Sequence, residues 1–224
     1  MCGRFSLTID HIFKLANRFH VPPPPFNVEP HYNLAPSQTI LTVVNWQDQR
    51  QLIPMQWGLT PYWNKKNQKP QSLVNVRSEN LIEKPIFKPY FERKRCLIPA
   101  DGFFEWKKEG TKKIPFRAIV KNEPIFAFAG LWDQTQDRKG NPINCFTILT
   151  TEANRLLSSI HDRMPVILTL EAEEQWLDPQ VHSPEELHSL LRPFPANRME
   201  IYEVSMEVNS TKHDNPECIA PASH

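Results

Sequence analysis

Glycine is scarce in this sequence, 6 residues among 224, and neither GxGxxG nor GxxxxGK occurs, so the chain offers no glycine cradle for a nucleotide cofactor. There are four cysteines, Cys2, Cys96, Cys145 and Cys218, far apart and without a CxxC pair. That spacing predicts neither a zinc site nor a disulfide framework, and it leaves Cys96 and Cys145, inside apolar runs, as inert core thiols. Net charge is also nearly absent: 26 Lys and Arg against 25 Asp and Glu leave +1, which excludes binding of nucleic acid or membrane surfaces through bulk charge. Any anionic partner must meet a local patch. No run approaches the roughly 18 apolar residues of a membrane span, and the MCGR start lacks a basic-then-apolar signal. The expectation is a cytoplasmic protein with no membrane partner.

Proline, by contrast, is abundant, with 22 residues. Each removes a backbone donor and clashes one turn back in a helix interior, so strands and rigid loops are expected rather than a helical bundle. The length suffices for one well-filled core, and neither an internal repeat nor a separating linker is present, which predicts a single domain over residues 2–224.

Apolar spacing predicts a first helix from about Ile9 to Phe19, begun by Thr8 or Asp10 and followed by the stiff connector VPPPPF. TILTVVNW and QRQLIPMQWG read as strands, and the lysine-rich stretch from Thr60 to Gln71 as a loop. Further strands are expected at Arg95–Ile98, Gly102–Lys107, Phe116–Val120, Ile125–Leu131 and Cys145–Leu149, with a hairpin around Lys107–Lys113. Glu152–Ile160 reads as a short helix and MPVILTL as a strand. Ala172–Leu177 and Pro184–Leu191 read as short helices, and YEVSMEVN as a final strand.

The first chemically distinctive residue is Cys2. Loss of Met1 is expected before so small a side chain, and it leaves an α-amine beside the thiol, with reference pKa values of about 8 and about 8.5. Such a pair captures an aldehyde, the amine as a Schiff base and the sulfur then closing a thiazolidine ring. An internal cysteine cannot do this; on position alone, an ordinary start residue is the equal alternative. Arg4 suits a phosphate, to which guanidinium binds bidentately. In LVNVRSENL, Asn75, Arg77 and Glu79 alternate and share one face of an extended segment, as a polar cleft or a solvated edge requires. Glu105, beside Trp106 in DGFFEWKK, is either a proton-transfer carboxyl or an exposed hairpin residue. In SIHDRMP, His161 is the candidate acid or base and Arg163 a guide for an anionic substrate. Trp57, Trp63 and Trp106 with nearby lysines offer the ring faces and cations that single-stranded nucleic acid favours, or serve the core.

The blocks MCGRF, YNLAPSQ, MQWGLTPYW, NVRSEN, RCLIPADGFFEW, FAFAGLW, TILTTEAN and HDRMPVIL, in this order, resemble the SOS-response-associated peptidase family, whose members are also called abasic site processing proteins. The resemblance covers nearly the whole chain. It implies an α+β fold: a single mixed, strand-dominated domain with a curved antiparallel β core and short peripheral helices. It also implies covalent capture of abasic sites in single-stranded DNA as a thiazolidine, by lyase-like Schiff-base chemistry, with peptidase activity of Cys2 as an alternative. Carried onto this chain, Cys2 supplies both nucleophiles, and Asn75 hydrogen-bonds the deoxyribose or the Cys2 backbone. Glu105 positions or deprotonates the amine, and His161 protonates the sugar oxygen. Arg4 and Arg77 clamp phosphates. Residue type, not the resemblance, makes Trp63, Trp106 and Arg163 candidate DNA contacts and Tyr62 or Trp63 a candidate wedge for bent or frayed DNA, with single-strand/double-strand junctions as one expected target. No cofactor or metal is implied, and the protein is expected to be a monomer. The chain departs from the family pattern at Ile160, often histidine, Val76, often alanine, and Phe104, often tyrosine; none of these removes a catalytic group. A non-covalent DNA-binding module, in which Cys2 is dispensable, is the competing reading.

Overall fold

The computed structural model describes residues 2–47, 49–60, 72–136 and 140–222. Along the chain run β1 (Phe5–Leu7), α1 (Ile12–Phe19), β2 (His31–Leu34), β3 (Thr39–Trp46), β4 (Gln49–Trp57), β5 (Asn75–Arg77), α2 (Asn80–Glu83), α3 (Lys88–Arg93) and β6 (Arg95–Ala100). There follow β7 (Gly102–Glu109), β8 (Lys112–Val120), β9 (Phe126–Gln136), β10 (Pro142–Glu152), β11 (Arg163–Pro165), β12 (Ile167–Leu168), α4 (Leu170–Leu177), α5 (Pro184–Ser189) and β13 (Met199–Glu203). The fold is α+β, with a curved β core and short peripheral helices.

Strands β10, β4, β3, β6 and β9 close on one another, since β9 also pairs with β10. Pairing is antiparallel except where β10 runs parallel to β4 and β5. Closure demands close approach, and Gly130 in β9 permits it: a Cβ there would lie 2.3 Å from Cδ1 of Ile98 and 2.8 Å from the Thr147 carbonyl oxygen. A second, antiparallel sheet has the order β13-β8-β7-β1-β2. Phe5 of β1 joins the two layers, its ring 5.1 Å from that of Trp57 and 5.6 Å from that of Phe128, while Phe103 of β7 meets Phe128 at 6.0 Å.

A buried polar lock sits behind β1. Asp101 accepts hydrogen bonds from the Ser6 hydroxyl (2.6 Å) and from the backbone amide and hydroxyl of Thr8 (both 2.5 Å), and it pairs with Arg117 at 2.9 Å. The lock also explains where α1 begins. Thr8 is occupied by Asp101, so it cannot cap, and the helix starts at Ile12 with His11 accepting from the Phe13 amide.

Most strands lie where alternation placed them, with longer ends, but besides the start of α1 three predicted elements differ. Glu152–Ile160 is a strand end followed by turns rather than a helix, because the Asn154 side chain accepts the amides of Leu156 and Leu157 while donating to the Phe194 carbonyl. In YEVSMEVN, β13 stops at Glu203 and residues 206–209 form a 3₁₀ turn whose start is capped by Ser205. That turn packs Val208 with Phe104, Val204 and Cys218 in a small second core. MPVILTL divides into β11 and β12. The loop expected at Thr60–Gln71 falls, from residue 61 on, outside the described residues.

Removal of Asp101 leaves the Arg117 guanidinium buried without its counter-charge. Asp101→Ala is therefore expected to lower unfolding free energy by about 3–5 kcal/mol in urea titrations, with Asp101→Asn recovering part of the loss.

Candidate functional site

Strand β1 pairs with β7 only at Phe5–Phe103 and Ser6–Gly102, and the last link upstream is the Phe104 amide donating to the Arg4 carbonyl at 3.0 Å. Beyond that point β7 continues to Glu109 with its edge uncovered by β1. The start of the chain lies against this edge. Cys2 is fully buried; its thiol faces the Arg4 carbonyl at 3.6 Å, and its own carbonyl accepts from the Asn75 side-chain amide at 2.8 Å. Asn75 is placed by the parallel register of β5 on β10, opposite Ile148. The predicted alternation holds in this segment: Val76 and Ser78 are buried, whereas Arg77 and Glu79 are exposed.

A cleft of about 460 Å³ is lined by Arg4, Glu105, Trp106, Lys108, Lys113, His161 and Asn209. Glu105 is buried, which raises its carboxyl from the ordinary 4.5 to about 7 against the opposing pull of the positive amino terminus. Burial lowers His161, and it raises the Cys2 thiol, with the Glu105 charge adding to the rise. The imidazole Nδ1 accepts the Arg163 backbone amide at 2.9 Å. The Asp162 carboxylate approaches the same nitrogen at 2.9 Å, but its side chain is 81% exposed, so the fixed amide decides the tautomer and the neutral ring carries its proton on Nε2.

Arg4 and Trp106 are held by residues that the sequence reading passed over. Arg4 donates to Asn33 Oδ1 (2.8 Å) and the Val208 carbonyl (2.8 Å), and its guanidinium lies 5.9 Å from the centre of the Trp106 ring. The Trp106 indole N–H donates to Asn209 Oδ1 at 2.7 Å. Asn33, almost fully buried, also donates to the carbonyls of Val208, Ser210 and His213, so one amide shapes both the C-terminal segment and Arg4. Its place inside YNLAPSQ was the available signal.

One DNA-contact expectation requires correction. Arg163 is buried: it forms a bidentate pair with Glu79 (2.7 and 3.0 Å) and donates to the Thr150 carbonyl at 2.6 Å, so its guanidinium faces inward rather than toward the cleft. A guanidinium inside β structure needs a carboxylate, and Glu79 is in reach. Trp57 is likewise a core residue, and its indole N–H donates to the Val74 carbonyl. Trp63 and Tyr62 lie outside the described residues. Among the described residues, no group of three His, Cys, Asp or Glu side chains is arranged to hold a metal.

The model of the family described as SOS response associated peptidase (SRAP) matches residues 1–211. The chain belongs to that family. Among curated SRAP relatives, the abasic site processing protein YoqW of Bacillus subtilis is 45% identical over 222 residues, covering 98% of this chain and 99% of its own. The abasic site processing protein YedK of Escherichia coli is 33% identical, covering 99% and 100%. A crystal structure of a protein from Bacteroides thetaiotaomicron superposes with a TM-score of 0.86 at 31% identity, over 99% of this chain and 100% of its own.

The raised Glu105 has a signature in stability. Its folded-state pKa lies above the unfolded value, so its favourable contribution is complete below pH 4.5 and is lost as pH rises through about 7. Relative to Glu105→Gln, the wild type is expected to lose roughly 3 kcal/mol of unfolding free energy across that window. Urea titrations at several pH values measure the difference.

Proposed function

We propose that this cleft captures the open-chain aldehyde of an abasic site in single-stranded DNA, through the α-amine and thiol of Cys2 after loss of Met1, and stores it as a thiazolidine. The observation that carries the reading is the convergence of four groups. Asn75 holds the Cys2 carbonyl, the Glu105 charge acts on the Cys2 thiol, and Glu105 and His161 line one cleft. The Bacillus and Escherichia relatives, abasic site processing proteins matched over nearly their full lengths, support an abasic site as the target.

Each step follows from the protonation states. Abasic deoxyribose is mostly a closed hemiacetal, and the His161 Nε2 proton is available to the ring oxygen as it opens. Glu105, near 7, accepts the proton that the Cys2 ammonium must lose; a base is most useful when its pKa lies near the operating pH. Since the thiol is pushed up by burial, the amine attacks first. A carbon–nitrogen bond forms, one water leaves, and the imine results. The thiol sulfur then adds to the imine carbon and its proton passes to the nitrogen, closing the ring with no further reactant. The sulfur sits two carbons from the amine, so this closure is intramolecular and has a high effective concentration. Arg4 and Arg77 hold flanking phosphates and Trp106 stacks on a base. Arg163 acts through its amide, which orients His161. The junction wedge rests on Tyr62 and Trp63.

Mixing the protein with a single-stranded oligonucleotide containing one abasic site should give a denaturation-resistant species of protein-plus-DNA mass less one water. That species should be absent with intact DNA and with Cys2→Ala. Cys2→Ser should yield an adduct only under borohydride, which traps an imine. Glu105→Gln and His161→Gln should each slow crosslinking by about 10²–10⁴. The wild-type rate should rise with pH through about 7, an inflection lost in Glu105→Gln. No adduct from protein shown to lack Met1 would overturn the reading. Peptidase activity turned on the protein's own start, the alternative reading, predicts instead that Met1 is lost in a host lacking methionine aminopeptidase.

A further inference from the structure

The hairpin β7–β8 carries a charge arrangement that the chemistry at Cys2 does not use. Lys108 and Lys113 face each other directly in its register, and both line the cleft. Their hairpin neighbours differ. Lys107 is neutralised by Glu109 at 2.6 Å, and Lys112 stands opposite Glu109. Among the described residues, neither Lys108 nor Lys113 forms an ion pair, and both are exposed. Like charges directly opposite on a sheet repel, an arrangement that costs stability unless an anion sits between them.

The pleat sets the context. Side chains two apart on a strand share a face and stand about 6–7 Å apart, so Trp106 and Lys108 point the same way, and Lys113 joins them from β8. Arg4 lies on the Trp106 ring. The face therefore reads guanidinium, indole, ammonium pair, all lining the cleft that Glu105 and His161 share. A ring face between two cationic positions is the pattern that accepts a stacked base with a phosphate on each side.

We propose that Lys108 and Lys113 form a second phosphate seat, which grips one backbone phosphate of the damaged strand across Trp106 from Arg4 and thereby runs that strand along the β7–β8 face. This rests on the single-stranded DNA reading of the cleft and assigns it the lysine pair.

The test is equilibrium binding of a single-stranded oligonucleotide carrying a tetrahydrofuran abasic analogue, which has no aldehyde, across a series of salt concentrations. The double variant Lys108→Gln/Lys113→Gln is expected to lower the slope of log affinity against log salt by about 0.7, and so to weaken binding about fivefold at 0.1 M salt. Lys112→Gln removes the same charge type from the other face of the same hairpin and is expected to leave the slope unchanged. All these positions are exposed, and circular dichroism and thermal melting of each variant confirm that the fold is retained. An unchanged slope in the double variant, or an equal fall in Lys112→Gln, overturns the seat. A parallel arm with true abasic DNA separates the two readings: wild-type crosslinking with an unchanged double-variant slope rejects the lysine seat alone, whereas absence of wild-type crosslinking rejects the aldehyde-capture reading.

Discussion

The site depends on the pinning of three residues. A chain terminus ordinarily frays, but Phe5–Leu7 is paired on both edges, by β2 and by β7, and is driven into the core by the Phe5 ring between Trp57 and Phe128. Asp101 then ties Ser6 and Thr8 to Arg117 of β8, whose guanidinium also donates to the Ser6 hydroxyl. With β1 immobile, Cys2 lies only three residues upstream of a fixed point and has little freedom left. Asn75 takes up the remainder through the Cys2 carbonyl. Because β1 is shorter than β7, the same pairing that places Cys2 leaves the far part of β7 uncovered, and Glu105, Trp106 and Lys108 of that strand line the cleft.

Burial acts on the reactive groups in one consistent sense, toward their neutral forms. It raises the Cys2 thiol and the Glu105 carboxyl and lowers the His161 imidazole. A pocket that disfavours charge on every member yields a carboxyl near 7 and a histidine lowered from its ordinary value in one cleft. The nearly zero net charge is compatible with an anionic partner because the acids are used internally. Glu173 pairs with Arg18, Glu174 with Arg50, Asp133 with Lys94, Asp101 with Arg117 and Glu79 with Arg163. Arg4, Arg77, Lys108 and Lys113 are left without a carboxylate partner among the described residues, and three of these four line the cleft.

Strand positions were legible because alternation along β3, β4 and β6 to β10 is a local signal. The two misread segments, Glu152–Ile160 and the end of YEVSMEVN, have helical or alternating apolar patterns. There a side chain with a distant partner decided the backbone: Asn154 bridges to Phe194, and the carbonyls of Val208, Ser210 and His213 are claimed by Asn33. Arg163 was misjudged for a related reason. In HDRMP an arginine beside a histidine looks like substrate recognition, and only the packing of β11 on β10 shows that Glu79 is within its reach.

The sequence by itself determined the chemistry available: a cysteine at position 2, an amide, a carboxyl and an imidazole, in family blocks that identify their company. Those are properties of residue type and order, readable without coordinates. Tertiary structure alone decided which arginines face outward, that Asn33 and Asn209 hold Arg4 and Trp106, and that the locally formed Lys108–Lys113 hairpin lies at a cleft shared with Arg4 and His161. Long-range pairing sets each of these, through strand register and the need of every buried charge for a partner, and neither is carried by the sequence around the residue concerned.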